Sequence, residues 1–191
     1  MKNLVNVRAG IEFMAGAIVL AIGVAGGGAA LNASSANAAA TTSRAEQDLG
    51  IPVGSVAPAA ALYKLDGSKV NLSDYYGKQP VLIEFWATWC PNCKALEPAL
   101  KAAKTKYGDR MKFVGVAVTV NQSIARVKAY MEQYKIPLEM LWDEDGKAVE
   151  LYEVPATSFI VIVSKEGRIV YGGLGSDQKL DEAIRKILPN P

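Results

Sequence analysis

The sequence predicts an α/β fold, a mixed β-sheet flanked by helices. Short apolar runs of strand length alternate with stretches whose apolar residues recur every three or four positions, the pattern of strands and helices packed in layers. Tight turns at Asp66-Gly67 and Glu166-Gly167 each sit between strand-like segments, so part of the sheet is antiparallel. A composition of 50% hydrophobic and 21% charged residues over 191 positions suits one such domain with a core.

Residues 1–40 stand apart from that pattern. Lys2 and Arg8 are followed by a run from Phe13 to Leu31 made almost wholly of Ala, Gly, Val, Ile and Leu, and then by a small-residue tract ending in Ala38-Ala39-Ala40. This is the order of a secretory signal. The alternative is an uncleaved membrane anchor through residues 11–31, close to the span length of about 17–25 residues. Either reading exports the rest of the chain. Residues 41–58 are polar, broken by Pro52, Gly54 and Pro58, and read as a linker to a domain over 59–191.

Within that domain Leu62–Leu65 and Val70–Leu72 form the first hairpin, and Ser73 caps a short helical turn that Gly77 stops. Val81–Ala87 is a nearly continuous apolar run, as in a strand covered on both faces. Cys93, Leu96, Ala99, Leu100, Ala103 and Tyr107 line one face of a helix that Gly108 ends and Pro98 kinks. Met111–Val118 is the next strand. Ile124, Val127, Met131 and Tyr134 mark a helix capped by Ser123, followed by a strand at Leu138–Trp142 and a short helix at Lys147–Tyr152. Phe159–Val163 and Ile169–Tyr171 flank the second hairpin turn. Leu180, Ala183, Ile184, Ile187 and Leu188 make a last helical stripe, closed by Pro189.

Residue counts exclude much chemistry. There is no His, which removes imidazole acid–base catalysis, Ser-His-Asp triads and His-ligated metals. Lys plus Arg number 21 and Asp plus Glu 19, too even a balance for a nucleic-acid partner held through phosphates. The only cysteines are Cys90 and Cys93, in Cys90-Pro91-Asn92-Cys93, where the buried strand ends and a helix starts. A helix N-terminus offers unpaired N–H groups and about half a positive charge, which stabilise a thiolate on Cys90. Cys93, a turn further on, can close a disulfide with it, giving a reversible two-electron couple. Three plainer roles compete. A structural disulfide over so short a loop would contribute only about 2 kcal/mol by loop entropy. A tetrahedral metal site lacks two of its four ligands. Two unpaired core cysteines suit the polar Asn92 and the helix-starting Pro91 poorly.

The block Glu84-Phe85-Trp86-Ala87-Thr88-Trp89-Cys90-Pro91-Asn92-Cys93-Lys94, with Pro98 five residues after the second Cys, resembles the active-site strand and helix of thioredoxins. The leader, the first hairpin and an αβ insertion at 119–142 are similar to the TlpA/ResA branch, whose members are extracytoplasmic thiol–disulfide oxidoreductases, several of them reductants in cytochrome c maturation. The resemblance covers about Pro58 to Leu188. It implies a thioredoxin-like fold without a metal or other cofactor, and a disulfide-containing client protein as partner. It places Val154-Pro155 at a cis X-Pro step that would pair main-chain groups of Val154 with an extended client. It makes Glu84 the buried acid behind the resolving Cys93, with a pKa raised by burial; an outward-pointing or lysine-paired Glu84 is the alternative. Trp89 and Pro91 join the docking surface, and Trp86 packs beneath it.

Two positions depart from the branch. Many members carry an acid three residues after the second Cys; here that residue is Leu96, with Glu97 next. The stretch from Pro155 to Gly167 is also long, so that either the Phe159–Val163 strand starts late or Ala156–Ser158 bulge. Pro91-Asn92 supplies no cation or imidazole to hold a thiolate strongly, which favours a reductant over an oxidase or isomerase. A reductant in an oxidising compartment needs a membrane thiol–disulfide electron donor. A peroxidase of related fold needs a Thr three residues before its Cys, whereas Thr88 lies two before Cys90. A Cu(I)-binding module working through the two thiols is the non-enzymatic alternative.

Overall fold

The computed structural model describes residues 49–188. One seven-stranded mixed sheet runs in the order β2-β1-β5-β4-β3-β6-β7. The strands are β1 (Ala61–Lys64), β2 (Lys69–Asn71), β3 (Val81–Trp86), β4 (Lys112–Val118), β5 (Glu139–Asp143), β6 (Phe159–Val163) and β7 (Ile169–Leu174). The helices are α1 (Pro91–Tyr107), α2 (Ile124–Tyr134), α3 (Lys147–Leu151) and α4 (Leu180–Arg185). Strands β3, β4 and β5 are parallel neighbours, while β6 and β7 add antiparallel to β3, and β1 adds antiparallel to β5. The crossovers α1 and α2 are what allow the parallel pairs.

β3 lies inside the sheet between β4 and β6, and all six of its residues are buried. Its alternation divides two cores. Leu82 and Trp86 face α1, α2 and α4, together with Cys93, Leu96, Leu100, Val127 and Ile184. Val81, Ile83 and Phe85 face the opposite layer, with Tyr152 after α3 and Ala57, Ala60 and Leu72 from the chain entry. Since side chains alternate along a strand, Glu84 shares the face of Leu82 and Trp86, beneath α1.

Several boundaries differ from expectation for local reasons. Leu72–Tyr75 is a 3₁₀ turn capped by Asn71, not Ser73, because Asn71 and Asp74 form a reciprocal capping box. α1 continues through Pro98 to Tyr107. The final helix ends at Arg185, and Ile187 and Leu188 turn back on the Ile184 carbonyl. The described part of the expected linker, 49–58, is docked: Gly54 N–H donates to the Ile169 carbonyl, Val56 bridges Arg168, and Ala57 is buried. The expected leader 1–40, its anchor candidate 11–31 and the Pro189 stop lie outside the described residues. Among the described residues no helix is long and apolar enough to cross a membrane.

Candidate active site

Cys90 is the N-cap of α1, with Pro91 at its first helical position, where the absent N–H is no loss. The two cysteines form a disulfide, with Cα atoms 5.3 Å apart. The main-chain N–H of Cys93 donates to Cys90 Sγ at 3.0 Å, so the helix terminus directs a backbone donor at the first sulfur. Access is narrower than the exposed Pro91-Asn92 dipeptide implies: Cys90 is only 4% exposed and Cys93 1%.

Glu84 lies within β3, 1% exposed, opposite Gly115 on β4 and Ile160 on β6. Neither an outward orientation nor a lysine pair is found. Both carboxyl oxygens are buried without a hydrogen-bond partner among the described residues. Burial first, and the Glu97 carboxylate second, push its pKa up to about 8. Glu97 is the acid that α1 carries one turn beyond Cys93. It is nearly buried, accepts from Tyr130 Oη at 3.3 Å and lies 3.8 Å from Lys101 Nζ. The Tyr130 ring packs edge-on against Trp86, with centroids 5.2 Å apart. Glu97 was legible in the i, i+4 spacing from Cys93; Tyr130, on the far side of the crossover, was not.

Trp86 is 1% exposed, beneath the site, while Trp89 is 41% exposed beside it. The indole N–H of Trp89 donates to the Val120 carbonyl at 2.7 Å.

Val154-Pro155 requires correction. No described residue carries a cis peptide bond. Val154 N–H is bonded to the Val149 carbonyl at 3.0 Å, closing the end of α3, so that N–H is not offered to a client. The residues between Pro155 and β6 form a bend, Ala156–Ser158, and Ser158 adopts a left-handed φ of 68°. Ser158 N–H, not a group of Val154, reaches the Phe85 carbonyl at the end of β3. The extra length after Pro155 is thus taken up both by a late strand start and by a bend. The exposed residues of the segment are Pro155 and Ala156.

The chain matches the AhpC/TSA family over residues 53–172. The thioredoxin-like protein YneN of Bacillus subtilis is 32% identical over 143 residues, 71% of this chain and 83% of its own. The thiol-disulfide oxidoreductase ResA of Bacillus thuringiensis subsp. konkukian is 27% identical over 139 residues, 72% of this chain and 79% of its own. Among solved structures, a thiol:disulfide interchange protein from a Bacteroides species superposes with a TM-score of 0.63 at 28% identity, covering 73% of this chain and 92% of that one.

Proposed function

Because the chain belongs to the AhpC/TSA family as a thioredoxin-like oxidoreductase, we propose that its Cys90–Cys93 pair reduces disulfides of exported client proteins. The observation that carries this reading is a closable cysteine pair at the N-terminus of a 17-residue helix, over a buried, unpartnered carboxyl. In the reduced chain the Cys90 thiolate attacks one client sulfur, and the other leaves as a thiolate and takes up a proton. The Cys93 thiol then loses its proton to ionised Glu84 and attacks Cys90 Sγ. The client sulfur bonded to Cys90 leaves as a thiolate and takes up a proton from solvent. Two electrons have passed to the client, and the Cys90–Cys93 disulfide remains for a membrane thiol donor to reduce. Trp89, Pro91 and the exposed Pro155-Ala156 stretch form the rim against which the client lies. The likeness to ResA supports cytochrome c maturation as the setting, with export by the 1–40 leader. Catalysed reduction of insulin disulfides by dithiothreitol tests the reading. Turnover that disappears in Cys90→Ser is expected. Stoichiometric Cu(I) retention, or peroxide reduction, without insulin turnover overturns it.

A further inference from the structure

The loop between β4 and α2, residues 119–123, is tied to the segment that carries Cys90 by more than chain proximity. Gln122 Oε1 accepts the main-chain N–H of Thr88 at 2.8 Å. Gln122 Nε2 donates to the carbonyl of Val118, the last residue of β4. The Trp89 indole N–H closes the same junction on the Val120 carbonyl at 2.7 Å. Val120 is 60% exposed and Trp89 41%, so the two bonded loops present neighbouring apolar surface beside the redox pair. The turn that lifts Val120 passes through Asn121 at a φ of 54°, a left-handed conformation that Asn tolerates better than most residues.

We propose that Gln122 is a positioning residue, the clamp that holds Val120 and Trp89 together as one shelf for a client polypeptide; this rests on the disulfide-reductase reading above. The position faces an N–H on one side and a carbonyl on the other. Only a group that both accepts and donates satisfies the two, and a neutral amide does so without charge. An ionised Glu keeps the acceptor but turns a negative oxygen on the Val118 carbonyl; a protonated Glu accepts and donates as Gln does. The sulfurs do not depend on the clamp. They are held by the α1 terminus, through the Cys93 N–H to Cys90 Sγ and the Cys90 N–H to the Ala87 carbonyl. The clamp therefore governs how a folded or extended client docks, and leaves a disulfide too small to use the shelf unaffected.

The test is a single-turnover reaction of the pre-reduced protein, freed of reductant, with insulin and with the small disulfide 5,5′-dithiobis(2-nitrobenzoate). Gln122→Ala should react with insulin about tenfold more slowly than wild type, and with the small disulfide within about twofold. Gln122→Glu should show the same insulin defect, taken as a ratio to wild type, at pH 8, and lose about half of it or more at pH 4, where most of its carboxyl is protonated. Should Gln122→Ala fail to fold, the pH dependence of Gln122→Glu decides alone. A wild-type insulin rate in Gln122→Ala, an equal loss with both disulfides, or a Gln122→Glu defect unchanged between pH 4 and pH 8 overturns the clamp. If wild-type protein reacts with neither disulfide, it is the reductase reading that fails.

Discussion

Glu84 carries a pH signature that can be read at the level of one side chain. Its carboxyl loses its proton near pH 8 in the folded chain, against an ordinary value of 4.5. Between those values the native state holds a proton that the unfolded chain releases, so this group's contribution to stability falls as pH rises from about 4.5 and levels off above about 8. Glu84→Gln removes that slope. In urea titrations it should gain on wild type by about 2 kcal/mol or more at pH 8 and little at pH 5. Function should move the other way. At pH 7 only roughly a tenth of the carboxyl is ionised and able to take the Cys93 proton. The rate at which Cys93 resolves a mixed disulfide should therefore climb through pH 8 in wild type and flatten in Glu84→Gln. Glu97→Gln, which takes away the nearby negative charge, should shift the same profile to lower pH, as stopped-flow resolution assays would record. Glu84 itself was visible in the sequence as a lone acid in an apolar run. Its coupling to Glu97 needed the packing of α1 over β3.

At the scale of elements, strands and helices with strong periodicity were legible because burial on one face or both leaves its mark on residue order. β3, α2 and β6 follow that rule. What escaped was set by short-range polar contacts or by competition between caps. Asn71 displaced Ser73 as a cap because Asp74 completes a box with it. The Val154-Pro155 step escaped because α3 takes the Val154 N–H and Ser158 takes the contact with β3. α3 shows how such contacts hold an element too short to be stable alone. Its N-cap, Gly146, offers no side chain, and buried Asp143 at the end of β5 accepts the N–H groups of Ala148 and Val149, each at 3.0 Å. Asp143→Ala leaves two helix-terminal donors without their acceptor, and should cost about 1–3 kcal/mol. Thermal melts should show the loss, while the small-disulfide reaction at Cys90 continues. Asp143→Asn, which keeps one acceptor oxygen, should recover part of it.

Across the whole molecule, the sheet order decides which residues meet at the Cys90–Cys93 pair. β3 lies between β4 and β6, so the end that launches Cys90 has the Gln122 loop on one flank and the Ala156–Ser158 bend on the other. Sequence spacing placed Cys90, Cys93, Trp89 and Glu84 because they share one strand–helix unit. It could not place Gln122, Val120 or Tyr130, which arrive through a crossover about thirty residues later. The disulfide is peripheral to this architecture, since its short loop restrains the unfolded chain by only about 2 kcal/mol. A Cys90→Ser/Cys93→Ser chain should keep its circular dichroism and cooperative melt while losing all disulfide reduction.

The most direct measurement is the mass of the adduct formed when reduced Cys93→Ser meets a disulfide client. With the resolving sulfur gone, the first exchange has no intramolecular exit. A stable one-to-one mixed disulfide through Cys90, which wild type does not accumulate, should form, map to the peptide containing Cys90 and be released by dithiothreitol. No adduct in Cys93→Ser, together with an adduct through Cys93 in the converse Cys90→Ser chain, would contradict it.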